Sequence, residues 1–284
     1  MKTTLRILSS TLLVLLLGAS HAQADESADL AKQAIEQSGT AAALAGLGDS
    51  LNHQMADAVK SLSEKQRAEF QNLLKETMDG GRLTKQVTDA IAATGDQKNL
   101  RAAIAAMRNP LFQRVNRQID EETLKTTDAD LVAYGKASHN KLDAKRRAEL
   151  LKRLDAATGA SRALVDLRCE VANKAWGNSL SDSDRKAKLA ELRKQLELSA
   201  PSEYVLRNLY ATRNISLKDL ESYVKTSETE PMRWFAHQLV VATQHTIVDA
   251  VGLMARKAAE LRKAGGNAPA ATPPVTNKAG AAAH

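Results

Sequence analysis

The chain has 284 residues, a formal net charge of +7 and one cysteine, so it is long enough to bury a core without disulfide or metal staples. Nine residues are aromatic and six are proline while alanine and leucine abound, which argues for helices and against most sandwiches and barrels. The basic excess is mild, and none of the common catalytic or phosphate-binding motifs occurs.

In chain order, residues 1–24 read as a secretory signal peptide. Lys2 and Arg6 form its charged start, Leu8 to Leu17 its apolar stretch and Ala22-Gln23-Ala24 a small-residue exit, with cleavage expected after Ala24. The apolar stretch is far shorter than the roughly 20 residues of a membrane span, and no later segment is uniformly apolar for that length, so no transmembrane helix is expected. The expected location is the periplasm, where nucleic acid is the wrong partner.

From Glu26 onward the pattern is a succession of amphipathic helices. Ser63, Ser181 and Ser216 each stand three residues before a Gln or Asp and predict helix starts. Predicted stops are Gly80-Gly81, Gly95, Gly159 and Gly265-Gly266. Lys145-Arg146-Arg147 and Lys152-Arg153 read as a solvated helix face, and Cys169, lacking a partner cysteine, as a small buried hydrophobe.

Sliding the chain against itself by 120 residues aligns Leu30, Gly39, Leu44 and Leu47 with Leu150, Gly159, Leu164 and Leu167. It also aligns Leu100, Ile104, Asn109 and Val115 with Leu220, Val224, Thr229 and Phe235. Ser63 and Ser181 match at a spacing of 118. The expected architecture is an all-α multi-helix bundle built from two related helical halves. Residues 25–121 form the first, 122–141 a polar connection and 142–263 the second, with a long last helix; 264–284 form an Ala/Pro-rich tail expected to be disordered. The last helix, apolar on most sides from Phe235 through Leu239, Ile247 and Val251 to Met254, suits the central post of a bundle. A helix that binds a partner or forms a homo-oligomer would carry the same pattern.

Glu228-Thr229-Glu230-Pro231-Met232-Arg233-Trp234-Phe235 resembles the hallmark of an exported bacterial helical domain of unknown function. That hallmark reads aromatic-x-x-Ser/Thr-Pro-x-Gly-Arg followed by an aromatic or apolar residue. Asn109-Pro110 offers the same helix start in the first copy. Glu230 replaces the expected Pro, and Met232 and Phe112 replace the Gly. The resemblance implies a helical envelope domain without an established reaction.

His245 and Asp249 lie one helical turn apart, with Gln244 beside them and His237 two turns earlier, a candidate polar site short of the third ligand a metal would want. Arg233 and Trp234 form a candidate contact point, with Trp234 also read as core filler beside Met232 and Phe235. No residue is assigned a catalytic or metal-binding role and no cofactor is expected. The function expected from this pattern is non-catalytic binding to an envelope protein or cell-wall component. The alternatives are an envelope hydrolase or metal-dependent enzyme built on His245 and Asp249, and a carrier or chaperone for apolar cargo.

Overall fold

The computed structural model describes residues 26–54, 63–138, 140–176 and 180–263. The expected signal segment, the tail and Gly265-Gly266 lie outside them. Among the described residues there is no strand. The helices in chain order are α1 (26–37), α2 (Thr40–Ala45), α3 (Leu47–Gln54), α4 (Glu64–Thr77), α5 (Gly80–Ala92), α6 (Gln97–Met107), α7 (Pro110–Lys125), α8 (Asp128–Ser138), α9 (Leu142–Thr158), α10 (Ala160–Trp176), α11 (Asp182–Ala211), α12 (Leu217–Ser227) and α13 (Glu230–Lys263).

Short polar side chains set many of the starts by accepting from the free N–H groups of a first turn. Ser63 does so reciprocally with Gln66, and Asp79, Asp96, Asn109, Ser181 and Ser216 cap α5, α6, α7, α11 and α12. Pro110 takes the first position of α7, where its missing N–H removes no helical bond. Gly159 is the left-handed C-cap of α9, as expected, and Gly95, also left-handed, follows α5 two residues after its Ala93 C-cap.

Gly80-Gly81 behaves otherwise than the sequence suggested. Rather than ending α4, the pair opens α5 behind the Asp79 cap, and α4 ends earlier, at Thr77. Close packing explains it: a Cβ on Gly80 would stand 2.5 Å from the Ala45 Cα, so α5 begins where α2 ends only if that side chain is absent. The polar connection also contains a helix, α8, held by buried Leu131 and by Gly135, whose missing Cβ leaves room for Leu206.

One continuous apolar core runs from Ala31 in α1 to Val251 in α13 and includes fully buried Leu83, Leu100, Leu151 and Leu220. Helix α13 occupies the position expected of a central post. It packs on α4, α5 and α6 and also on α9, α10 and α12, burying Met232, Phe235, Ala242 and Ala250. Leu239 and Ile247 lean on the same core.

Boundaries recur along the chain. Helices α2 and α10 start at Thr40 and Ala160, α7 and α13 at Pro110 and Glu230, and α6 and α12 at Gln97 and Leu217 with 11 residues each. Gly39 and Gly159 share positive φ angles of 78° and 68°. Two elements differ: α10 is continuous where α2 and α3 are separate, and α11 runs through Pro201 where α4 and α5 are separate.

Candidate functional site

The start of α13 places the sequence-predicted residues. Glu228 caps the C-terminus of α12, and the Arg233 N–H returns to the Thr229 carbonyl, closing the first turn. The Thr229 hydroxyl donates back to the Thr226 carbonyl at 2.7 Å. Met232 and Phe235 enter the core and Trp234 packs half-buried against it, whereas Arg233 faces solvent. The expected Arg233–Trp234 contact point therefore divides between surface and core.

Arg153 of α9 grips Glu228 with two parallel bonds of 2.9 and 2.7 Å, a geometry in which guanidinium and carboxylate match as planar forks. That hydrogen bonding, with the nearby charge of Arg233, holds the Glu228 carboxyl below its ordinary range. The α12–α13 corner is thereby tied to α9.

Farther along, His237, His245 and Asp249 are all exposed. Every fourth residue of a helix advances by about 40° around its axis, so Arg233, His237, His245 and Asp249 form one ridge winding along about 24 Å of α13. Gln244 turns away from it and donates to Glu170 Oε1 of α10 at 2.9 Å, an interhelix tie. Among the described residues, no group of three or more His, Cys, Asp or Glu side chains is arranged to hold a metal ion. No described helix is long and apolar enough to cross a membrane.

The sequence reading missed two polar clusters. In one, Arg147 is buried, donating to Asp143 at 2.9 Å and to the Thr212 carbonyl at the end of α11 at 2.8 Å. This corrects the reading of Lys145-Arg146-Arg147 as a uniformly solvated face: only Lys145 and Arg146 are exposed. Arg213 stands 3.8 Å from the ring centre of Tyr210 and pairs with Glu122 at 2.8 Å, while Tyr134 meets Tyr210 edge-on. Burial pushes the Tyr134 phenol up.

In the other, the Tyr223 ring stacks on Phe112 and its hydroxyl donates to Asn116 Oδ1 at 3.2 Å; the Asn116 amide donates to the Ser38 carbonyl at 3.3 Å and to Asp120 at 3.2 Å. Burial raises Tyr223 and Asp120 alike, as desolvation penalises the charged form of each. The bonds link α7 with the α1–α2 turn and α12, so the cluster reads as a structural seam. No spacing rule could have found it, because its members come from residues 38 to 223. Cys169 is buried, as expected, and burial raises its thiol pKa. No protein-family model, curated protein or solved structure matches the chain.

Proposed function

We propose that this chain is an exported, non-catalytic binding or accessory protein that meets an envelope protein or a cell-wall component along the exposed ridge of α13. The observation that supports the reading is the ridge itself. A helix packed on six others presents Arg233, His237, His245 and Asp249 to solvent along a winding ridge, with half-buried Val241 between the two His, instead of converging them in a pocket. A rigid, extended ridge suits an elongated partner, because its backbone positions are held in register before the partner arrives.

The export signal read in residues 1–24 supplies the compartment, and the 120-residue recurrence of helix starts suits two halves derived from one ancestral helical unit. The resemblance of residues 228–235 to an exported helical domain agrees with both.

The test is photo-crosslinking in intact cells with a crosslinking amino acid placed at His237, His245 or Asp249, and at exposed Lys85 on α5 as control. A discrete adduct from the ridge positions and none from the control is the expected result. Equal labelling at all four positions, or no adduct from the ridge, overturns the proposal.

A further inference from the structure

Residues 131–147, covering most of α8 and the start of α9, contain five basic residues and one acidic residue, Asp143, whose carboxylate is engaged by buried Arg147. Among the described residues three large apolar side chains are exposed, and two of them fall in the same stretch: Leu142 is 65% exposed and Val132 52%. Leu142 is followed one turn later by Lys145 and Arg146, which share its side of α9, and is preceded by Lys141, and all three cations are exposed. Among the described residues no carboxylate pairs with these three cations, unlike Lys152 and Arg153 farther along α9.

Local stability does not account for this arrangement. Cations at the start of a helix oppose its dipole, and an exposed Leu and Val contribute nothing to the core. A surface carrying both phosphate and an apolar layer would engage both features. We infer that the α8–α9 corner docks on an anionic lipid bilayer, with Lys141, Lys145 and Arg146 meeting headgroup phosphates and Leu142 entering the boundary beneath them. A protein partner fits less well, because protein interfaces are depleted in Lys at their centre and enriched in aromatic residues, and the exposed side chains described at this corner include Lys141, Lys145, Arg146 and aliphatic residues without an exposed aromatic. The corner is separate from the α13 ridge and stands independently of the partner proposed for it.

The test is co-sedimentation with vesicles, using protein purified as cells process it. The wild type should bind equimolar phosphatidylglycerol and phosphatidylcholine, should not bind phosphatidylcholine alone, and should be released by salt. The triple variant Lys141→Gln, Lys145→Gln, Arg146→Gln should lose on the order of 100-fold in partition, and Leu142→Ser about tenfold, both with unaltered thermal melts. Lys186→Gln, Lys188→Gln, Lys194→Gln, which removes three exposed cations of α11, should bind as the wild type does. Three results overturn the proposal: no binding to the anionic vesicles, equal binding to phosphatidylcholine, or an equal loss in the α11 triple variant. Loss in the α9 triple variant with none in Leu142→Ser also overturns the bilayer as occupant and points to a soluble polyanion.

Discussion

The core around α13 and the pairing of α10 with α11 solve the same packing problem with different materials. The core gathers buried aliphatic side chains from residues as far apart as Ala31 and Val251. Among the described residues the α10–α11 pair is the most extended helix contact, yet its own buried cluster is Val165, Cys169, Leu196 and Ala200, with Leu192 against it. Charged side chains complete the pair: Arg193 bonds Asp166 at 2.7 Å, and Glu203 receives Arg168 and Arg207 at 3.3 and 3.1 Å. Length of contact and strength of contact are thus separate properties. A half-exposed ion pair contributes about 0–1 kcal/mol, whereas truncating a fully buried leucine costs about 2–5 kcal/mol.

The largest expected effects test that contrast directly. Leu100→Ala and Leu220→Ala, both in side chains with no exposed surface, should each lower unfolding free energy in urea by about 2–5 kcal/mol. Leu196→Ala should fall at the low end, about 2 kcal/mol, because a small cluster between two helices collapses more readily around a lost side chain. Equal losses at Leu196 and Leu220 would merge the two regions into one cooperative unit.

A smaller loss, about 1–3 kcal/mol, is expected for Gly80→Ala, which forces α5 away from the Ala45 backbone. Gly159→Ala should cost only about 1 kcal/mol, because nothing lies within 4 Å of the added Cβ and the cost is that of the left-handed backbone alone. The ratio of the two melting shifts separates close packing from conformational strain.

Cys169 reports on the α10–α11 pair without mutation. Its buried, raised-pKa thiol should resist a maleimide until α10 and α11 separate. If the α10–α11 pair opens separately from the core, labelling will occur at a free energy below that of global unfolding. Labelling that tracks global unfolding would show that the weaker cluster does not open separately.

The smallest effect concerns pH. Burial alone would raise the Glu203 carboxyl, but the guanidiniums of Arg168 and Arg207 outweigh it and hold the pKa below its ordinary value. A carboxyl depressed in the folded state stabilises at pH above its unfolded value of about 4.3, and that contribution disappears as pH falls through the folded value. The wild type should therefore be more stable than Glu203→Gln at neutral pH, and the two melting curves should converge in acid.

Much of the helical framework was legible in the sequence, because the information is local. Ser63, Ser181 and Ser216 were read as caps from residues three positions away and act as caps. Gly80-Gly81 was misread because a glycine that ends a helix and a glycine that lets two backbones meet look alike until the second backbone, that of Ala45, is in place. Helix α8 was hidden within a polar connection, because Leu131-Val132-Ala133-Tyr134-Gly135 has no clear amphipathic period. For the candidate site, the four-residue spacing of His245 and Asp249 established that they share a side of α13, while the engagement of neighbouring Gln244 by Glu170 depended on where α10 lies.

The sequence by itself determined the helical class, several of the caps and breaks, and the length of the last helix, because each depends on dihedral preference and hydrogen bonding within a few residues. Tertiary structure decided which side of α13 faces water, which member of Lys145-Arg146-Arg147 is buried, and which apolar side chains remain outside at the α8–α9 corner. A helix that is apolar on most sides can be buried through several faces, and only the positions of its neighbours select one.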